Sequence, residues 1–154
     1  MKKSSIIILI LFFIQSCGYV PIYSKNQKID FYIQSINFNS SDKELANFIK
    51  SDLGNYFKKN AGKSFIISAT IDYQKTSVSK SAEAITEEYN LISNALFQIN
   101  TENIDKKITI SETYKMNNFD DEFEERKYEQ TIKKNMARSI VSKLILQLTR
   151  FNVN

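Results

Sequence analysis

Read from residue 28 onward, the chain alternates between two periods. In KIDFYIQSINFN, residues 28–39, Ile29, Phe31 and Ile33 alternate with polar neighbours, and Ile36 and Phe38 then take the opposite parity. Period-2 alternation predicts a strand, and the parity change predicts a β-bulge near Ser35. Ser41-Asp42-Lys43-Glu44 has the capping-box form, in which a serine and a glutamate satisfy each other's backbone donors. Leu45, Phe48, Ile49, Leu53, Tyr56 and Phe57 follow at helical spacing, and Gly62 offers a stop, which predicts a helix of about 18 residues. SFIISATIDYQ returns to period 2, with Phe65, Ile67, Ala69, Ile71 and Tyr73 on one side. SVSKSAEAIT reads as a polar loop, after which Tyr89, Leu91, Ala95, Phe97 and Ile99 share one parity. ENIDKK supplies a turn through Asn103 and Asp105, and Ile108, Ile110, Tyr114 and Met116 mark a further strand. From Asn118 the period becomes helical, with Ile132, Met136, Ile140, Leu144, Leu148 and Phe151 spaced by four and three. Asn118 is the expected cap, Asp120, Asp121 and Glu122 the acidic first turn, and the helix runs for about 28 residues.

The order β-α-β-β-β-α predicts an α+β fold, a four-stranded, mainly antiparallel sheet with both helices on one face. Residues 28–154 then form a single domain. The other sheet face is expected to carry Ser68, Thr70, Gln74, Asn90, Asn94, Gln98, Thr109, Ser111, Thr113 and Lys115, interrupted by Ile66, Ile92 and Leu96. A solvated face is common in antiparallel sheets. This one is rich in amides and hydroxyls and poor in charge, which suits contact with a polar wall of another protein, and Ile66, Ile92 and Leu96 are the candidate contact residues.

The N-terminus adds an address. Lys2 and Lys3 precede Ser4 and Ser5 and then the apolar run Ile6 to Ile14, the order of a secretory signal peptide over residues 1–16. That run falls well short of the roughly 20 residues a membrane-crossing helix needs. It ends in Ile14-Gln15-Ser16-Cys17, and Cys17 is the single cysteine of the chain, so no intramolecular disulfide explains it. The stretch resembles the lipobox of bacterial lipoproteins, in which the cysteine receives a diacylglycerol and becomes the new, N-acylated terminus. A plain signal peptide with an incidental cysteine is the simpler alternative. Lipidation would consume the thiol and, at on the order of 0.8 kcal/mol per buried methylene, several acyl chains such as palmitate would hold firmly. Residues 17–27, with Pro21 opposing helix, then form a lipidated tether. Gly18 rather than Asp after the cysteine implies, by the enterobacterial sorting rule, an outer-membrane destination.

Removing the signal leaves 19 basic against 17 acidic residues, a net charge of +2, with the basic residues dispersed. That pattern and an extracytoplasmic address argue against nucleic acid. The chain has no histidine and no tryptophan, and its three glycines form no phosphate loop. The usual nucleophile, general-base and zinc sets are therefore missing. No enzyme activity, no catalytic residue, no metal and no cofactor beyond the covalent lipid on Cys17 is expected. FDDEFEE, residues 119–125, invites a cation-site reading, but an acidic first helical turn explains it structurally and its spacing matches no calcium loop. KKNAGK, residues 58–63, reads either as an anion contact or as lysines at a helix's negative pole.

CGYVPIY directly after the lipobox is similar to the opening of lipopolysaccharide-assembly lipoproteins of the LptE family, in its divergent group. The segment from Tyr114 to Leu148 looks like that group's C-terminal helix, and the β-α-β-β-β-α order agrees. The resemblance implies an outer-membrane lipoprotein, lipid-anchored on the periplasmic side. It would plug and assist the assembly of an LptD-type β-barrel translocon and touch lipopolysaccharide in transit. Lys80, Lys107 and Lys115, near the uncovered face, are the candidate lipopolysaccharide contacts. A different lipoprotein adaptor in envelope assembly or stability, without a lipopolysaccharide role, is the competing expectation.

Overall fold

The computed structural model describes residues 31–57, 62–80, 82, 86–101 and 105–152. The signal peptide, Cys17, the tether and Ile29 lie outside them. The elements are β1 (Phe31–Ser40), α1 (Lys43–Leu53) with a 3-10 turn (Gly54–Tyr56), β2 (Lys63–Lys80), β3 (Thr86–Asn100), β4 (Asp105–Asn117) and α2 (Glu122–Asn152). The strands lie in the order β1-β2-β3-β4. The β1–β2 pairing, connected through α1, is parallel, and the two others are antiparallel.

The expected bulge is present. The β1–β2 register slips between Ile33 and Ser35, so Gln34 is the extra residue. It lets Phe31 and Ile33 on one side of the slip and Ile36 and Phe38 on the other all turn toward the core. Both helices cover this one face. Fully or nearly fully buried side chains come from every element: Ile33, Leu45, Ile49, Phe65, Ile67, Leu91, Phe97, Ile110, Met136, Ile140 and Leu144 among them.

Several boundaries differ from the sequence expectation. The cap of α1 is Asp42, whose Oδ1 accepts from the Leu45 N–H at 2.8 Å. Ser41 is engaged elsewhere, its hydroxyl accepting from the Tyr73 N–H at 2.9 Å, and Glu44 reaches across to α2 instead of closing a capping box. The α-helix stops at Leu53, because Gly54 and Asn55 are poor helix formers. Tyr56 and Phe57 still pack on the core from beyond the helix, with Tyr56 stacked on Phe31 at a centroid distance of 6.4 Å. Lys63 thus lies in β2 rather than near the end of α1, and its ammonium donates to the Phe151 carbonyl at the end of α2, at 3.0 Å. The lysine meets a helix's negative pole, but that of the other helix.

The stretch read as a polar loop is shorter than expected. β2 continues through Lys80 and β3 begins at Thr86, because backbone pairing carries on where the apolar alternation has ended, with register slips between Ser77 and Ser79 and between Ser79 and Lys80. Asp121, not Asn118, begins α2: its carbonyl accepts from the Glu125 N–H and its Oδ1 from the Phe123 N–H. The Asn118 N–H donates to the Glu87 carbonyl and so extends the sheet pairing.

One polar rung crosses the buried face. Tyr73, Ser93 and Glu112 stand side by side on β2, β3 and β4. Tyr73 donates to Glu129 at 2.9 Å. Glu112 accepts from Ser139 at 2.6 Å and from Lys143 at 2.7 Å. The Ser93 hydroxyl is fully buried without a partner among the described residues. An unsatisfied buried hydroxyl costs on the order of 1–3 kcal/mol. Ser93→Ala is therefore expected to stabilise the domain by about 1 kcal/mol, seen as a higher urea midpoint with an unchanged slope. A lower midpoint would show that the hydroxyl has a partner the fold supplies.

Candidate functional site

Because β-strand side chains alternate between faces, burying one parity fixes what the other presents. Across the uncovered face the register aligns Asn37, Ser68, Gln98 and Lys107 in one row and Asn39, Thr70, Leu96 and Thr109 in another. Beyond the end of β1 follow the rows Asp72–Asn94–Ser111, Gln74–Ile92–Thr113 and Thr76–Asn90–Lys115. Amide and hydroxyl groups dominate, and they partly satisfy one another: Ser111 donates to Asn94 at 2.7 Å and Gln74 to Asp72 at 2.8 Å.

All three predicted contact residues lie on this face. Ile66 and Leu96 are 41% and 40% exposed, and Ile92 is half-buried. They do not form one patch. Ile66 stands opposite Asn100, and Leu96 and Ile92 follow on β3 at four-residue intervals, each about 13 Å along the strand. The face is therefore a polar lattice with isolated aliphatic points.

The three candidate lysines are exposed but do not converge. Lys107 and Lys115 lie on the uncovered face near opposite ends of β4, about 27 Å apart. Lys80 ends β2, near the end of the sheet that holds Lys115. Lys115 is paired with Glu88 at 3.3 Å. No single anion can meet all three.

A second constellation, missed in the sequence, ties the helices to the sheet. Lys133 of α2 has a side chain only 10% exposed, and it meets Asp42 at 2.7 Å, Glu44 at 3.3 Å and Glu129 at 3.3 Å. Its ammonium also lies over the Tyr73 ring, 4.6 Å from the centroid. Lys75 adds bonds to Glu125 at 2.6 Å and Glu129 at 3.0 Å and sits over the Tyr89 ring. A signal existed: Lys133 falls beside Ile132 on the apolar stripe of α2, and Lys75 and Glu112 fall on the apolar parity of their strands. A shallow, solvent-open depression beside the cluster is lined by Glu44, Phe123, Arg126, Lys127 and Gln130. Among the described residues no group of three acidic, histidine or cysteine side chains is placed to hold a metal ion, and no helix is long and apolar enough to cross a membrane.

Burial works against the charged form of Lys133, but the Asp42 bond and the carboxylates of Glu129 and Glu44 outweigh it and raise the pKa. Lys75 is raised for the same reason, its burial overcome by Glu125 and Glu129. Burial alone would lift Glu129, yet donation from Lys75 and Tyr73 and the two ammonium charges lower it. The Tyr73 hydroxyl is pushed far up, first by burial and then by Glu129.

No family model matches the chain, and no curated protein matches its sequence. Solved structures do match. Rare lipoprotein B from Shewanella oneidensis aligns at a TM-score of 0.54 and 14% identity, covering 75% of this chain and 97% of that one. A minor lipoprotein from Acinetobacter baumannii aligns at 0.53 and 12%, covering 77% and 92%. Lipoprotein B from Nitrosomonas europaea aligns at 0.54 and 12%, covering 84% and 91%. At these identities the likeness is one of fold, and the proteins that share it are bacterial lipoproteins.

The cluster gives stability a defined pH dependence. Glu129, lowered on folding, contributes above its ordinary value near pH ~4.3, and the contribution is lost as pH falls through the folded value. Lys75 and Lys133, raised on folding, contribute fully below about pH 10.4 and lose that contribution as pH rises through their folded values; Tyr73 acts with the same sign above about pH 10. Thermal unfolding should thus show a plateau between about pH 5 and 9.5, with Glu129→Gln shrinking the acid limb. An acid limb unchanged in Glu129→Gln would contradict this assignment. Lys133→Ala, which leaves three carboxylates without their shared cation, should cost about 2–3 kcal/mol, between exposed and fully buried pairs. Urea unfolding measures it, and a loss under 0.5 kcal/mol, about the size of an exposed pair, would contradict it.

Proposed function

We propose that this protein is a non-enzymatic lipoprotein of the bacterial outer membrane, anchored through acyl chains on Cys17 and facing the periplasm. The observation that carries the reading is the uncovered sheet face. It spans three long strands, is polar without being strongly charged, and has no covering element among the described residues. The lumen of a large outer-membrane barrel is polar, and rows of amides and hydroxyls pair with such a wall through direct and water-bridged hydrogen bonds. The aliphatic points Ile66, Ile92 and Leu96 supply local apolar anchors within it. The lipoprotein identity of the structural neighbours, the lipobox resemblance at Cys17 and the LptE-like termini all favour a plug for an LptD-type barrel in lipopolysaccharide transport.

Within this reading Lys107 and Lys80 are the freer candidates for phosphate contact with lipopolysaccharide, since Lys115 already serves Glu88. The separation of Lys107 from the other two makes two distinct contact points more consistent with the geometry than one shared site.

Purification from membranes in mild detergent tests the proposal. The chain should carry diacylglycerol and an N-acyl group on Cys17 by mass spectrometry and should come out with one large β-barrel. Thr70→Arg with Thr109→Arg, placed in the middle of the face, should release the barrel while leaving the unfolding midpoint within about 0.5 kcal/mol of the parent, as expected of exposed positions. An unacylated chain, or a complex insensitive to the double variant, would overturn the reading. A peptidoglycan-linked or multiprotein partner set in place of the barrel would favour a different envelope adaptor.

A further inference from the structure

The charge of the described domain separates along the long axis of the sheet. Phe31, where the chain enters β1, pairs with Lys63, and Lys106 pairs with Ile99 at the same end. α2 finishes there too: Lys63 donates to the Phe151 carbonyl, and Lys106 lies over the Phe151 ring at 4.6 Å from its centroid. Lys106, Lys107 and Arg150 are exposed at this end, opposed by Asp105 and the half-buried Asp52. At the far end acids outnumber bases, although Lys80, Lys115, Arg126 and Lys127 lie there too. There Glu87 and Glu88 close on Asn117 and Asn118, and the start of α2 carries five carboxylates in residues 120–125.

The helix dipole accounts for part of this arrangement but not all of it. It favours acids in a first turn and bases in a last turn, and its influence fades beyond them. In α2 the polarity runs much further. From Gln130 to Asn152 there is no acidic residue. Lys134 and Arg138 are exposed without an ion pair among the described residues, well outside what a dipole at one terminus would require, whereas Arg150 sits in the last turn. Over a helix of 31 residues, about 46 Å long, the acids are confined to Glu122–Glu129, with Arg126 and Lys127 among them.

We propose that the basic end, centred on Lys106, Lys107 and Arg150, rests on the anionic phospholipid headgroups beside the anchor, so that the acidic start of α2 points away from the bilayer. This rests on the reading of Cys17 as the acylated residue. Two observations select the partner. The chain enters the domain at this end, at Phe31, so the tether joins the domain there. The charge there is complementary to phosphatidylglycerol-type headgroups, and the opposite end would be repelled by them. The tether does not set the orientation by itself. The 14 residue steps from Cys17 to Phe31 reach up to about 50 Å, enough to allow either end to face the bilayer.

The test uses the mature acylated chain, whose own cysteine is blocked by lipid, so that one introduced thiol reports alone. A bimane label on Thr109→Cys or on Asn117→Cys, both exposed on β4, is read against nitroxide-headgroup lipid in nanodiscs. In phosphatidylcholine–phosphatidylglycerol discs the label at 109 should be quenched about threefold more than the label at 117, and phosphatidylcholine discs should bring the two near parity. The triple change Lys106→Gln, Lys107→Gln, Arg150→Gln should do the same in the anionic discs, with an unchanged circular dichroism spectrum confirming the fold. Equal quenching in anionic discs overturns the inference, as does an excess at 109 that survives both the neutral lipid and the triple change. A chain found unacylated by mass overturns the proposed function and this inference together, whereas an acylated chain with equal quenching overturns the inference alone.

Discussion

A sheet has two faces, and this chain supplies helices for one. Alternation along β2, β3 and β4 sends Phe65, Ile67, Leu91, Phe97 and Ile110 to the same side, where α1 and α2 close over them. At roughly 25 cal/mol per Å² of apolar surface removed from water, that closure is the dominant favourable term in the fold. It also dictates what remains. With the apolar parity committed, the other parity must live in water or against another molecule, and its amides, hydroxyls and scattered aliphatics are compatible with both. The candidate contact face is thus a consequence of how the core is built.

The polar contacts inside that core determine how α2 lies. Tyr73 and Glu112 would be unpaired polar groups in the core if α2 did not bring Glu129 to one end of the rung and Ser139 with Lys143 to the other. Lys133 then binds the cap of α1 to the same helix. Hydrophobic contact alone tolerates sliding, whereas partnered charges at fixed distances do not, because leaving any of them buried and unpaired is costly. The cluster therefore sets the direction of α2 across the sheet, and with it the end of the molecule at which the basic half of the helix emerges.

Much of the architecture was legible in the sequence, because period 2 and period 3.6 are direct readouts of burial. The element order, the bulge beside Ser35, the uncovered face and the positions of Ile66, Ile92 and Leu96 on it all followed from parity. What failed was local and competitive. Ser41 and Asp42 are both good caps, and only the position of β2, which draws the Ser41 hydroxyl to Tyr73, decides between them. Asn118 looked like a cap until the backbone of Glu87 took its N–H. The serine-rich stretch after Gln74 has no burial pattern to read, yet its backbone keeps pairing. The Lys133 cluster was hidden for a different reason: its partners, Asp42 and Glu44, lie about 90 residues away in sequence. An isolated charge on an apolar stripe was the available clue. Whether Lys80, Lys107 and Lys115 share a ligand depended on the strand register, which the sequence left unassigned.

The central claim is that the uncovered face, and not the outer surface of the helices, is where another protein sits. Photo-crosslinking in intact cells tests it directly, with a benzophenone amino acid placed at Ser68, Leu96 or Thr113 on the sheet and at Thr131, Asn135 or Ser142 on α2. The account predicts adducts to one large barrel from the sheet positions and none to it from the helix positions. Adducts to that barrel from α2 alone, with a silent sheet, would contradict it.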